Sequence, residues 1–442
     1  MDSLSERADD GVLVVVGSGL RLYREYLLAG AAREHALWLF DTADPTWQTP
    51  YLTGFTLVDT SDPRALVEAA RRLHAVRRVD GVFCFSEALV EPAAAVVEAL
   101  GLPGMGPEAV RNCRDKSRTR ALLDAAGVGQ PRSMAVASLE EATRVADEIG
   151  YPVVLKPRGL AGSLGVVFVP GRAELADAYR ESSAPSYPGV PVFEASVLVE
   201  EYADGPEISV DGLLVDDVYR PLVLARKQVA MAPYFEETGH VVDSQDPLLS
   251  DDELLTLLAD AHRALGATGT ITHTEVRLTS SGPRLIEVNA RLGGGLIPLL
   301  GSLATGIDPG RCGARAALGR PVEPAAADGA VAADGAVAGI HFAYPPDDCT
   351  VEAVRMPAPD ALPGLHQAAA LVEPGDVLRL PPRGYISRYA YAICTAETVP
   401  ECESRLAVAG AALRLDHRPA PALTADAEPE LAWAQTSPGT AP

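Results

Sequence analysis

Two segments of the chain, Thr270 to Leu278 and Leu285 to Ala290, alternate apolar and polar residues around Thr279-Ser280-Ser281-Gly282-Pro283-Arg284. Alternation places His273, Glu275 and Arg277 on one face of the first strand. It places Glu287, Asn289 and Arg291 on one face of the second. If the hairpin turns about Ser281, Glu275 faces Glu287 and His273 faces Asn289. Like charges directly opposite destabilise a sheet. Two carboxylates and an amide are hard oxygen donors, and a divalent cation such as Mg²⁺, shared with substrate phosphates, removes that repulsion. A solvated polar face would tolerate the same residues. The second strand runs into Gly293-Gly294-Gly295, where backbone N–H groups can meet an anion.

Two other segments put polar groups at the ends of apolar strands. In VVLKPRGLAGSLGV, Lys156 closes a strand, and Gly159, Gly162, Ser163 and Gly165 follow in a loop. Glycines let backbone N–H groups approach a phosphate while the lysine supplies charge. An ordinary hairpin turn has the same composition. Further on, Val197 to Val199 leads into Glu200-Glu201-Tyr202-Ala203-Asp204-Gly205-Pro206-Glu207. Main-chain groups of such a segment can read a nucleotide base edge, and the carboxylate seven residues after Glu200 can take both ribose hydroxyls.

Composition sharpens one of these residues. The 442 residues carry a net charge of −23, which argues against gripping a nucleic-acid backbone or an anionic membrane. Of 37 basic residues only three are lysines, Lys116, Lys156 and Lys227. Codon bias in a GC-rich genome explains the arginines. It does not explain which lysines remain, and a lysine is a compact point charge that arginine does not replace. Six scattered cysteines without a CxxC pair fit reduced thiols, and no apolar run approaches the roughly 20 residues that span a bilayer. The acidic, polar start of the chain is unlike a signal peptide. These features together predict a cytoplasmic protein.

The elements that must position these residues read as α/β and α+β. Strands at Val12 to Val16, Ala36 to Phe40 and Gly81 to Phe85 alternate with helical stretches, which predicts a doubly wound, Rossmann-like domain over 1–104. Gly17-Ser18-Gly19 lacks the third glycine of a dinucleotide fingerprint and suits a tight strand-to-helix turn. A lobe with the glycine-rich loop follows over 105–195, then a strand-rich lobe over 196–320. Residues 321–338 read as a linker or mobile loop, 339–416 as a C-terminal α+β lobe, and 417–442 as a disordered tail.

These pieces, in this order, resemble the ATP-grasp superfamily. The specific parts are the spacing of Glu200 and Glu207, Gly205-Pro206-Glu207, and IEVNAR at Ile286 to Arg291. Within the superfamily, EETGH at Glu236 to His240, THTE at Thr272 to Glu275 and NARLGG at Asn289 to Gly294 are most similar to the L-amino-acid ligases. The resemblance implies a Rossmann-like N-terminal domain, a two-lobed ATP-grasp domain and a C-terminal lobe. It implies ATP and Mg²⁺, two ions with Glu287 bridging them and Mn²⁺ as an alternative, held by Glu275, Glu287 and Asn289. It also implies nucleotide contacts from Lys116, Lys156, Gly162, Ser163, Glu200, Glu201, Tyr202, Ala203, Glu207 and Lys227.

The activity implied is ATP-dependent joining of an amino-acid carboxylate to an amine through an acyl phosphate, giving ADP and phosphate. Arg291 would stabilise the transferring phosphate and the tetrahedral oxyanion. A salt bridge to Glu287 or Glu275 is its structural alternative. His273 would orient a substrate or act as base for the amine, and a core role suits it nearly as well. His240, Gly293 and Gly294 would contact substrate. Partners are small-molecule carboxylate and amine substrates, with no nucleic acid or membrane, and a homodimer is an option. Alternatives keep the chemistry but change the acceptor to a carrier-protein thiol, a peptide or a metabolite amine. A catalytically silent nucleotide-binding scaffold is a further alternative.

Overall fold

The computed structural model describes residues 11–184, 193–322, 336–358 and 361–422. The first sheet holds β1 (Val12–Val16), β2 (Ala36–Asp41), β3 (Leu52–Leu57) and β4 (Val79–Phe83), all parallel, in the order β3-β2-β1-β4. Strand β1 is wholly buried, as a central parallel strand with both faces covered requires. Helices α1 (Arg21–Ala32), α2 (Pro63–Val76) and α3 (Val90–Leu100) connect the strands. Gly17 and Gly19, at φ of 68° and 66°, make the turn from β1 towards α1. The expected doubly wound unit is therefore present. Strand β3 escaped the sequence reading because it is a half-buried edge with Thr53, Gly54 and Thr56 in its middle. Gly54 is needed there, since a Cβ would lie 2.3 Å from the Trp38 ring.

After α4 (Pro107–Arg114) and α5 (Lys116–Ala125), a small antiparallel sheet forms a lid. Its strands β5 (Ser133–Val136), β6 (Val153–Pro157), β7 (Val167–Val169) and β8 (Val197–Glu201) run in the order β5-β8-β6-β7. Helices α6 (Leu139–Ile149) and α7 (Leu175–Ser183) cover its inner face through a core of Val145, Val153, Leu155 and Val199.

The main sheet contains β9 (Glu207–Val215), β10 (Val218–Ala230), β11 (Glu236–Asp243), β12 (Thr272–Thr279), β13 (Gly282–Asn289) and β14 (Val337–Ala343). The chain ends with β15 (Cys349–Arg355), β16 (Leu365–Ala370), β17 (Val377–Leu378), β18 (Ala390–Ala396) and β19 (Arg414–Pro419). Eight strands make one sheet in the order β13-β12-β9-β10-β11-β14-β18-β16, and β17-β15-β19 make a separate one. Helices α8 (Asp252–Leu265), α9 (Ile297–Thr305), α10 (Pro309–Ala317) and α11 (Val399–Ala412) complete the fold.

Three boundaries are corrected. The C-terminal lobe does not form its own main sheet, because β14, β18 and β16 extend the one that holds β12 and β13. Val337 and Ala338, read as linker, begin β14; the rest of that segment, 323–335, lies outside the described residues. Residues 417–419, read as tail, belong to β19, which pairs with β15; residues 423–442 lie outside the described residues. The start of β14 was hidden in an Ala-rich run, and the end of β19, His417-Arg418-Pro419, in a polar stretch that leads into Ala and Pro. The six cysteines are free, five of them buried. Among the described residues, no helix is long and apolar enough to cross a membrane.

Candidate active site

The hairpin β12–β13 pairs His273 with Asn289 and Glu275 with Glu287, the register expected from a turn about Ser281. A bulge follows Glu275, which raises local twist beside the two carboxylates. Strand β9 flanks β12 and brings Asp211 beside His273. Asp211 accepts from His273 Nδ1 at 2.7 Å and from the Gly293 amide at 2.9 Å, while His273 Nε2 lies 3.5 Å from Glu275 Oε1. Burial opposes the charged imidazole, but Asp211 and Glu275 outweigh it and raise His273 to about 9. Both carboxylates therefore favour the charged form of the ring, an arrangement suited to orienting a carboxylate.

Lys227 sits deeper. Its ammonium meets Glu207 at 2.6 Å, Glu237 at 2.7 Å and Glu275 at 2.9 Å, and its side chain is 2% exposed. Glu207 also pairs with Arg277 at 2.9 Å. Burial pulls the Lys227 pKa down, yet the three carboxylates hold it well above its usual value. Burial likewise raises Glu237 and Glu275, and Lys227 reverses both shifts. Removing one partner of such a cluster strands like charges. Lys227→Met should therefore lower the unfolding free energy by about 3–5 kcal/mol, read as a lower denaturant midpoint at unchanged slope. An unchanged midpoint would mean that the cluster is not what holds Lys227.

Nearer the opening, Lys116 lies 3.3 Å from Glu287 Oε2 and donates to the Leu160 carbonyl. The Asn289 amide nitrogen donates to Glu287 Oε1 at 3.1 Å and Glu87 Oε2 at 3.2 Å. Arg291 binds Glu87 through Nε at 2.7 Å, and Arg114 meets the other Glu87 oxygen at 3.2 Å. The salt-bridge partner of Arg291 is therefore Glu87 and neither of the two carboxylates considered from the sequence. Glu87 follows β4, at the carboxyl end of the parallel sheet.

From the lid, Lys156 reaches Glu200 at 2.5 Å, and Arg120 binds the same carboxylate through Nε at 2.7 Å. All three side chains are nearly inaccessible. Burial raises Glu200, but Arg120 and Lys156 bring it down to about 2. Burial lowers Lys156 to about 8, with Glu200 opposing and Arg120 and Lys116 adding repulsion. The free protein thus loses this charge as pH rises through about 8. We expect kcat/KM for ATP, which reports the free enzyme, to fall above that pH, while kcat stays flatter because bound phosphates hold the proton. A kcat/KM profile level across that range would remove Lys156 from nucleotide binding.

The glycine-rich loop uses left-handed backbone at Gly162, Ser163 and Gly165. Leu160 and Leu164 in it pack on Tyr385, with Tyr234 and Ile386 alongside, so the C-terminal segment supports the loop. The Glu201 and Tyr202 amides donate to the carbonyls of Arg132 and Pro152, and the Tyr202 ring meets Phe168 edge-on at 4.9 Å.

These groups converge on one cleft between lid and main sheet. Lys116, Lys156, Gly162, Ser163, Glu200, Glu201, Tyr202, Ala203, Glu207, His273, Glu275, Glu287, Asn289, Arg291 and Gly294 line it. Lys227, His240 and Gly293 stand behind its surface. His240 faces Lys227 across β10–β11, is wholly buried, and its Nε2 lies 3.6 Å from Glu237 Oε2. Gly293 supports Asp211 and His273, since a Cβ there would fall 2.8 Å from His273 Nδ1. Sequence reasoning missed Glu87, Arg114, Arg120, Asp211 and Glu237. Asp211 alone left a signal: with Glu207 and Ser209 it is the third polar residue at period two in an apolar strand.

Residues 149–298 match the ATP-grasp domain family and residues 39–104 the ATP-grasp N-terminal domain family. The chain carries an ATP-grasp domain. It is 31% identical over 249 residues to alanine–anticapsin ligase of Bacillus subtilis, covering 52% of either chain. To D-alanine–D-alanine ligase of a Marinomonas species it is 28% identical over 184 residues, 40% of this chain and 55% of that one. The chain spans about half the length of the curated relatives it matches. Its fold is that of L-amino acid ligase from Bacillus licheniformis, with a TM-score of 0.74 and 22% identity over 93% of this chain and 99% of that one. Phosphoribosylglycinamide synthetase from Anaerococcus prevotii shares the fold at a TM-score of 0.65 and 17% identity, over 92% of this chain and all of that one.

ATP-grasp enzymes use ATP and Mg²⁺, and this domain has donors of suitable type. Among the described residues, no three His, Cys, Asp or Glu side chains form a metal-holding group by themselves. The set here is two carboxylates and an amide on one cleft face. Glu275 and Glu287 face each other across the hairpin, Glu287 beside Lys116 and Glu275 beside His273 and the lysine it shares with Glu207 and Glu237, and a cation between the two carboxylates would relieve their repulsion.

Proposed function

We propose that this chain is an ATP-dependent, ADP-forming ligase that joins an amino-acid carboxylate to an amine through an acyl phosphate. The observation that carries this reading is the single cleft in which Glu275, Glu287, Asn289 and Arg291 face Lys116 and Lys156. Glu275, Glu287 and Asn289 would hold Mg²⁺, which would supply charge neutralisation for the phosphates. The chain's own residues do the rest. Lys156 gives Glu200 one of its three donors and keeps others for a phosphate. The 201–203 segment receives the base, and Glu207 the ribose.

A carboxylate oxygen of the first substrate attacks the γ-phosphorus, and the bond to the β–γ bridging oxygen breaks, releasing ADP. The amine then attacks the acyl carbon, and phosphate departs with the acyl C–O electron pair. The amine's proton leaves to solvent. Such phosphoryl transfer depends on positioning and electrostatics. Arg291, fixed by Glu87 and the Leu292 carbonyl, lines the cleft where negative charge develops. His273, held by Asp211, keeps Glu275 in place. The homology to alanine–anticapsin ligase and D-alanine–D-alanine ligase supports amide-bond formation as the reaction class.

The test is ADP release by purified protein with ATP, Mg²⁺ and pairs of amino acids, run with and without hydroxylamine. We expect ADP only with a suitable carboxylate present, and a hydroxamate when hydroxylamine replaces the amine. ADP accompanied by a stable phosphorylated product and no hydroxamate would make the protein a kinase.

A further inference from the structure

Glu236 opens β11 between Phe235 and Glu237, which both line the cleft, yet it is itself 2% exposed and no part of the cleft wall. Its Oε2 accepts from the Tyr344 hydroxyl at 2.8 Å and from the Ile386 amide at 3.0 Å. Its Oε1 has no hydrogen-bond partner among the described residues. Burial pushes the carboxyl pKa up, against the pull of those two donors. Burying so sparsely paired a carboxyl is unfavourable, so its place in the fold has to follow from what Oε2 holds. Ile386 has a φ of 55°, a left-handed conformation that a β-branched residue rarely adopts. Such a backbone persists only where its surroundings fix it. Glu236 takes its amide, and the Ile386 carbonyl accepts from the Arg388 amide at 2.7 Å. The Ile386 side chain lies against the glycine-rich loop, since a Cβ on Gly162 would fall 3.1 Å from its Cδ1. Tyr385 packs on Leu160 and Leu164 of the same loop. Gly162 and Ser163, both left-handed, face the cleft from it. A line of contacts thus runs from β11 through Ile386 to the loop without entering the cleft.

We propose that Glu236 is a positioning residue for phosphoryl transfer: its hold on the Ile386 amide fixes the glycine-rich loop over the phosphates of the bound nucleotide. The inference rests on the ligase reading for what lies under the loop. The same carboxylate also reaches the acid cluster. The Tyr344 hydroxyl accepts from Arg388 Nε at 3.0 Å, and Arg388 Nη2 donates to the Glu237 carbonyl at 3.0 Å. Glu237 in turn meets Lys227. The loop on the lid and the buried lysine of the main sheet therefore share one support.

The experiment uses the full chain, with hydrogen exchange by mass spectrometry and ADP release read well below every variant's melting temperature. Glu236→Leu leaves the Ile386 amide and the Tyr344 hydroxyl without their acceptor. It should speed exchange of the 159–165 amides while β12 and β13 stay protected. It should also lower kcat/KM for ATP by roughly 10–100-fold. Glu236→Gln keeps an acceptor at the Oε2 position and should recover most of both losses. Ile386→Gly accepts the left-handed backbone but removes the side chain from Gly162, so it should loosen the loop with Glu236 intact. The double variant Glu236→Leu, Ile386→Gly should be no worse than the worse single one, because both act through one contact. Unchanged loop exchange in Glu236→Leu or in Ile386→Gly would overturn the inference. So would faster exchange spread evenly over the chain, which marks a general loss of stability, or a Glu236→Gln as impaired as Glu236→Leu. If no substrate pair releases ADP, the ligase reading fails by itself. Exchange in the free protein then still decides whether Glu236 fixes the loop.

Discussion

Glu287→Gln should lower ADP release by roughly a hundredfold or more while leaving the protein folded. The substitution keeps the shape of the side chain and removes one charge. Glu287 is the carboxylate opposite Glu275, the contact of Lys116 and the acceptor for Asn289, so it joins the elements that line the cleft floor. In the free protein the loss is nearly balanced. Lys116 gives up an ion pair at 3.3 Å, but the repulsion between two facing carboxylates is relieved. A change of about 1 kcal/mol or less is expected in stability. Turnover is a different matter, since the amide is a weak ligand for a hard cation. The paired measurement is ADP release and thermal melting on the same preparation. Full turnover in a well-folded Glu287→Gln would dismiss the metal assignment.

Lys156→Arg should be nearly as severe, although it conserves charge. Lys156 is 4% exposed and shares Glu200 with Arg120, with Lys116 close enough to repel it. A guanidinium there is too large for the space, and overpacking of this kind costs about 1–3 kcal/mol. It also cannot lower its pKa to relieve the crowding of cations, as lysine does. We expect the KM for ATP to rise at least about tenfold together with a lower melting temperature. Near-normal ATP turnover would leave the survival of this lysine to chance. Lys116→Arg tests the same idea from the other wall of the cleft.

Much of the site was legible because it depends on local periodicity. The shared face of the hairpin residues follows from alternation, a property of a dozen consecutive residues, while the bulge after Glu275 offsets the two-residue turn and brings Glu275 opposite Glu287. Doubly wound topology followed from apolar runs alternating with helical spacing. What stayed hidden depends on contacts between distant segments. Nothing near Glu87 says that it will hold Arg291, which lies 204 residues away. The surroundings of Lys227 were hidden for the same reason. The resemblance implies a nucleotide contact there, and Glu207, Glu237 and Glu275 come from three other strands to enclose it. Of the three surviving lysines, two line the cleft and one neutralises the acids behind it. Codon bias thus leaves lysine where a compact cation has to fit among carboxylates, whether or not it meets a nucleotide.

The continuous eight-stranded sheet has a consequence for how this protein can be divided. Strand β14 is the only neighbour of β11 on that side, and β11 carries Glu237 and His240. A chain ended before residue 337 would keep every expected ligand of nucleotide and metal. It would nevertheless turn an interior strand into a bare margin of unpaired amides and carbonyls, the kind that recruits other chains. The glycine-rich loop would lose Tyr385 and Ile386 in the same cut. The C-terminal segment is thus no detachable module, and exchanging it between relatives amounts to splicing a β-sheet through its middle.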